Sequence, residues 1–190
     1  MSFIQLDPKF NKNYKAGQVY FTHHLLNPIA MGISWYSRED NERESDLPVS
    51  HCGICVGDGI GIESKFPGGV QEYQLYRYFT DPFTRIFFKE PKMLYLHGPY
   101  FLSLCWDAID SYHYDWCILI GHFLVGSFLG RMVLTESMKQ RVLKIFDVKD
   151  RFDCSEFVLN RSILGNLTDD FVKYITPRQL FNHSMFKTWK

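Results

Sequence analysis

Residues 51 to 57 alternate, with Cys52, Ile54 and Val56 on one side and His51, Gly53, Cys55 and Gly57 on the other. That period of two is the signature of a half-buried β-strand. After the turn residues Gly57-Asp58-Gly59 the alternation resumes in Ile60-Gly-Ile-Glu-Ser64, where Gly61 and Glu63 share a side, so the segment is expected to be a hairpin. Further strands are expected near 17–22, 69–73 and 84–89, with a short helix at Leu75–Phe79 and a helix opened by Pro28 after Asn27. From about Tyr100 onward the period becomes helical, over 100–112, 117–130, 136–147 and 154–164, with a last turn after Pro177. Strands gathered early and helices late predict an α+β fold, an antiparallel β-sheet packed against helices. No repeat, low-complexity linker or change of composition divides residues 1–190, which are read as one domain.

The last long helix carries the first sign of chemistry. In Phe152-Asp-Cys-Ser-Glu-Phe-Val158, Asp153 reads as an N-cap and Glu156 completes a capping-box spacing, so Cys154 falls in the first helical turn. Free N–H groups and the positive end of the helix dipole favour a thiolate there and suit an oxyanion. Asp153 and Glu156 oppose this by raising the thiol pKa, which makes an imidazolium partner necessary. His51 is the candidate. The thin, glycine-bearing side of its strand is expected to admit another element closely, the nucleophile helix being the natural visitor.

Glu63 is the candidate to orient His51, on one condition. An odd hairpin loop puts both residues on one side of the sheet, whereas a two-residue loop of Asp58 and Gly59 sends Glu63 to the other. A thiol nucleophile, its base and an orienting carboxylate together imply covalent catalysis.

These residues, in this order, resemble a known family. His51-x-Gly-Ile-x-Val-Gly-Asp-Gly59, Ile62-Glu63, Gly69-Val70, Leu75 and Asp153-Cys-Ser-Glu-Phe-Val158 are similar to the circularly permuted NlpC-like cysteine peptidases and amidases of the papain-like superfamily, particularly the YiiX-like branch. Lys15-Ala-Gly-Gln-Val-Tyr-Phe-Thr22 resembles that family's opening strand, Arg85-Ile-Phe-Phe88 a later strand, Tyr114-Asp115 a motif before an apolar helix, and Ile175-Thr-Pro-Arg-Gln-Leu180 the closing segment. The resemblance implies a permuted papain-like fold with Cys154 as nucleophile, His51 as general base and Glu63 as the residue that orients it. It implies no cofactor and a small peptide or amide substrate. The related lecithin:retinol acyltransferase-like branch carries a second histidine where this chain has Glu63, and keeps a lipid ester open as the alternative substrate.

Other features are expected to be structural. Cys52 and Cys55 have a CxxC spacing, but residues three apart on a strand point to opposite faces, so neither a redox pair nor half a zinc site is expected. His23 and His24 could line the cleft but are read as exposed polar residues, and His97, His113, His122 and His183 as structural, with no metal. The apolar stretch Trp116–Leu134 contains His122, Arg131 and three glycines and is read as a buried helix, with no transmembrane segment. The charged run Arg38–Asp46 is expected to be a solvated surface loop; the segment Trp35–Asp46 lies close enough to His51 in the chain to border the site, but a plain surface connection is the stronger expectation.

Composition bounds the rest. At 17% aromatic and 46% hydrophobic residues the chain has the means for a substantial core and is not of disordered composition. Twenty-one basic residues against 21 acidic ones give no electrostatic case for nucleic acid. Five cysteines and no signal-like start favour the cytoplasm, or export without a recognisable signal peptide. Three classes of function follow: a cysteine amidase or peptidase, a thioester-forming lipid acyltransferase or hydrolase, and a binding module that keeps the fold without the chemistry.

Overall fold

The alternating residues 51–64 do pair as a hairpin, at the heart of an antiparallel sheet. The computed structural model describes residues 14–37, 48–92, 94–148, 151–161, 174–183 and 186; the charged run Arg38–Asp46 and residues 162–164 of the expected nucleophile helix lie outside them. Five strands, Val19–His24 (β1), His51–Gly57 (β2), Ile60–Lys65 (β3), Gly69–Gln74 (β4) and Thr84–Lys89 (β5), form a sheet in the order β4-β3-β2-β1-β5. Every neighbouring pair is antiparallel. Helices Pro28–Tyr36 (α1) and Tyr76–Thr80 (α2) interrupt the strands, and Leu94–Asp107 (α3), Trp116–Gly126 (α4), Phe128–Val133 (α5), Glu136–Phe146 (α6), Cys154–Arg161 (α7) and Pro177–Asn182 (α8) follow them. The fold is α+β.

Each sheet face has its own core. Val19, Phe21, Cys52, Ile54, Ile62 and Val70 bury one face together with Phe101 and Cys105 of α3 and Phe157 and Val158 of α7. The opposite face is built on Tyr20, Cys55, Leu75 and Tyr78. Large apolar side chains buried in this way stabilise by about 1.5–3 kcal/mol each. The helix bearing Cys154 therefore covers the Cys52 face and not the glycine face, contrary to expectation. Gly53 and Gly61 make room for a different visitor, the ring of Tyr20: a Cβ on Gly53 would stand 2.3 Å from the Tyr20 hydroxyl, and one on Gly61 2.6 Å from its Cε1.

The apolar stretch 116–134 also departs from the single buried helix expected. It breaks at Ser127, whose hydroxyl accepts the Gly130 N–H at 3.0 Å and caps α5. Ile118 and His122 face inward, while Leu129, Met132 and Val133 are exposed. No helix among the described residues is long and apolar enough to cross a membrane.

Candidate active site

Three separate elements bring Cys154, His51 and Glu63 together. Two-residue strands His113–Tyr114 (β6) and Arg151–Phe152 (β7) pair in parallel, and β7 leads directly into Asp153 and Cys154. Asp115 fixes this approach: its Oδ1 accepts the N–H groups of Cys117 and Ile118 at 3.0 and 3.1 Å, capping α4, while its Oδ2 accepts the Val148 N–H at 3.0 Å. Asp153 then caps α7 as its sequence position predicts, with Oδ1 accepting the Glu156 N–H at 2.7 Å and the Ser155 hydroxyl at 3.0 Å. Cys154 is the first residue of that helix.

The hairpin aligns the other two by a route the sequence conceals. Its loop has two residues, Asp58 and Gly59, both at positive φ as a tight hairpin turn requires. That loop alone would have put Glu63 on the wrong face. The register, however, shifts between Cys55 and Gly57, so that Gly57 pairs with Ile60 while Cys55 pairs with Gly61 and Ile54 with Ile62. Val56 is thus a bulge residue, and the extra position restores Glu63 to the side of Gly53 and His51.

Around Glu63 the geometry is tight. Its fully buried carboxylate accepts, at Oε2, the hydroxyls of Tyr20 at 2.6 Å and Tyr78 at 2.8 Å and the His51 Nε2 at 3.0 Å. Lys65 Nζ stands 3.4 Å from Oε1 and lies over the Tyr73 ring, 4.3 Å from its centroid. With Nε2 committed to Glu63, Nδ1 is the imidazole nitrogen left for sulfur. The side chains of Cys52 and His51 and the backbone of Cys52 all bear on the ionisation of the Cys154 sulfur.

Electrostatics follow from these contacts. The hydrogen bond from Cys52 holds the Cys154 thiol well below its usual range against the opposing effect of burial, and the charge and hydrogen bond of His51 add to it. Burial alone would lower His51, but the charges of Glu63 and Cys154 raise it to about 10. Burial likewise works against the Glu63 carboxylate, and His51 overcomes it, holding the group at about 2. All three directions favour a thiolate–imidazolium pair with an ionised glutamate behind it. Asp153, expected to oppose the thiolate, is itself pushed up to about 7 by burial and by the charge of Cys154, so much of its opposition is removed near neutrality.

Access comes from the imidazole side. Cys154 is 4% exposed and the His51 side chain 18%. His51 opens into a cleft of about 260 Å³ lined by Ile29, Ile33, Phe66, Tyr78 and Tyr114 among others.

Of the remaining candidates, Cys52 and Cys55 do face opposite cores. His24 is near the cleft, 3.3 Å from Asp81, but His23 is buried, with its Nδ1 3.2 Å from the Ser50 hydroxyl, and is no exposed polar residue. Burial on a short strand followed by a tight turn separates the two neighbours. His122 is buried and stacked on Tyr36, and burial lowers it to about 4. Among the described residues no group of three or more His, Cys, Asp and Glu side chains could hold a metal ion. Sequence reasoning missed Tyr20, Tyr78, Lys65 and the contact from Cys52. The glycines opposite Tyr20 were the available signal, since Tyr20 pairs with Gly53 in the register.

No protein-family model matches the chain, and no curated protein matches it.

Proposed function

We propose that this chain is a cysteine-dependent amidase or peptidase of the permuted NlpC-like kind, acting on small peptides or amides through an acyl-enzyme. The convergence of Cys154, His51 and Glu63 carries the reading: His51 Nε2 stands 3.0 Å from the Glu63 carboxylate, and the charge of His51 draws the Cys154 thiol downward. The thiolate attacks a carbonyl carbon, and the charge developing on oxygen meets the first N–H groups of α7 that the Asp153 cap leaves unused. The carbon–nitrogen bond breaks as His51 passes its proton to the departing amine. A thioester remains on Cys154. Neutral His51 then takes a proton from water, the hydroxide attacks the thioester, and Cys154 leaves as thiolate with the imidazolium restored. Glu63 stays ionised throughout, and Tyr20 and Tyr78 hold it in place.

Cys154→Ala is expected to abolish both turnover and covalent labelling by iodoacetamide. Full activity in that variant ends the nucleophile assignment.

One observation favours a second reading, the thioester-forming acyl chemistry of lipid esters. Helix α1 lines the cleft through Ile29, Ala30 and Ile33, yet it also exposes Met31 and Trp35, 54% and 49% accessible. An apolar rim suits acyl chains. Rates on a series of aryl esters of increasing chain length, set beside peptide amides of matched size, decide between them: a steep rise with chain length selects the lipid reading.

A further inference from the structure

His122 is a buried histidine that the proposed mechanism leaves idle. It is 5% exposed on α4 and stacked on the Tyr36 ring, with 5.6 Å between centroids, and its Nε2 finds no hydrogen-bond partner among the described residues. A buried polar atom left in that state asks for an explanation. Asp153 Oδ2 stands 3.8 Å from the same nitrogen. The other carboxylate oxygen, Oδ1, is occupied by the Ser155 hydroxyl and the Glu156 N–H, so Oδ2 is the oxygen left to carry a proton. The next residue in the chain is Cys154.

We propose that His122 is a positioning residue for the reaction at Cys154, acting through Asp153: the two buried side chains hold one proton between them, on Asp153 Oδ2 and directed at His122 Nε2, and this keeps the residue before the nucleophile uncharged. This rests on Cys154 as the nucleophile assigned above, and not on turnover of any substrate.

The placement fits. Closing 3.8 Å to hydrogen-bond length asks for about 1 Å of approach. Burial opposes a charge on either partner, lowering His122 to about 4 and raising Asp153, with help from the charge of Cys154, to about 7, so a neutral acid beside a neutral imidazole is favoured over an ion pair between those values. Around Asp153 stand Cys154 and Glu156 of its own helix, Asp115 before α4, Tyr36 of α1, Tyr114 of β6 and Cys52 of β2, and none of these supplies a positive charge. Arg178 lies buried on α8, which packs against α7, yet Asp153 makes no ion pair with a lysine or arginine among the described residues. The cavity of about 330 Å³ that His122 lines also holds Arg131 and Lys139, but Arg131 donates to the carbonyls of Gly126, Trp35 and Tyr36, and Lys139 pairs with Glu136 at 3.2 Å. A proton is therefore what neutralises Asp153. The consequence falls on sulfur: an ionised Asp153 would raise the thiol pKa, and a thiolate of higher pKa attacks faster but leaves more slowly. An uncharged Asp153 favours the step in which Cys154 departs from the thioester.

The test is a pH titration of the full chain by two readings, with near-ultraviolet dichroism as the check on folding. Nuclear magnetic resonance follows the Asp153 carboxyl carbon and the His122 ring nitrogens, and iodoacetamide measures the alkylation rate of Cys154. In the wild type the carboxyl should titrate near neutrality, the His122 nitrogens should shift at the same pH, and alkylation, already present in acid, should step up about threefold as Asp153 ionises. His122→Phe keeps a ring on Tyr36 but removes the acceptor, so the carboxyl titration and the step should both move down by about one pH unit. His122→Gln, whose Oε1 accepts the same proton, should restore both. Asp153→Asn should abolish the step, and His122→Phe in that background should change nothing further. Should His122→Phe not fold, the wild-type coupling of the two resonance shifts decides. His122 nitrogens blind to the Asp153 titration, a folded His122→Phe with the wild-type carboxyl titration, or a His122→Phe effect that persists beside Asp153→Asn overturns the proposal. A chain that passes each arm and hydrolyses no amide or ester sinks the amidase reading alone, and turnover with Asp153 indifferent to His122 sinks this one alone.

Discussion

Glu63 Oε2 takes three donors in a space closed to solvent, which makes Tyr20 and Tyr78 more than packing. Hydrogen bonds to a charged group contribute about 1.5–3 kcal/mol each, and burial raises what is lost when one is removed. Tyr20→Phe is expected to destabilise the protein by about that amount and to slow alkylation of Cys154, a combination that urea unfolding and labelling kinetics measure on one sample. Glu63→Gln goes further. Without the carboxylate charge the main force raising His51 is gone, so the imidazolium should titrate below about 10 and thiolate labelling at mildly acid pH should fall. The sign of the stability effect is fixed by Glu63 itself, held at about 2 against an ordinary 4.5: its contribution is full above pH 4.5 and is lost as pH falls towards 2. The acid limb of the unfolding profile should therefore flatten in Glu63→Gln. Cys154 and His51 were legible as candidates because helix capping and strand alternation are local patterns, whereas Glu63 was named on the condition of an odd loop and reaches His51 through the bulge at Val56 instead. Tyr20 and Tyr78 were not, since their bonds to Glu63 span 43 and 15 residues and one aromatic in a strand looks like another.

At the scale of elements, the β2–β3 hairpin shows how a local rule can be satisfied and its consequence reversed. Asp58-Gly59 has the turn chemistry of a two-residue loop, and parity then sets Glu63 against the wrong core; the bulge at Val56 reverses that parity. Nothing in the apolar pattern distinguishes a bulged valine from a paired one. The glycines were visible, but their guest was misassigned, because a missing side chain states that something comes close and not what. Gly53→Ala tests the corrected assignment: its Cβ would meet the Tyr20 hydroxyl and ring, and overpacking of this kind costs about 1–3 kcal/mol, so reduced stability and slower Cys154 labelling should appear together. β6 and β7, at two residues each, are too short for any period to reveal. The structure they belong to is anchored by Asp115, and Asp115→Ala should cost about 1–2 kcal/mol through the lost α4 cap, with the tie to Val148 lost as well.

For the molecule as a whole, equal numbers of basic and acidic residues mean that pH acts through particular buried groups more than through net charge. Asp153 is the clearest. Its carboxyl is raised from 3.8 to about 7, so the native state holds a proton that the unfolded chain releases, and stability falls as pH rises through that window. Asp153→Asn keeps a capping oxygen and should remove that decline, as urea midpoints at pH 5 and pH 8 will show. The α+β class was legible from the order of strands and helices. The break at Ser127 and the exposure of Leu129, Met132 and Val133 were not, because a run of apolar residues carries no record of which side meets solvent. The central claim is that folding joins a sulfur from α7 to an imidazole from β2 as an ion pair. The rate of Cys154 alkylation by iodoacetamide against pH, in the wild type and in His51→Ala, addresses it most directly. Reactivity in the wild type should persist far below the ordinary thiol range, and His51→Ala should lose that acid shoulder and titrate nearer about 8.5. A wild-type profile that itself rises only near that value, unchanged by removing His51, contradicts the account.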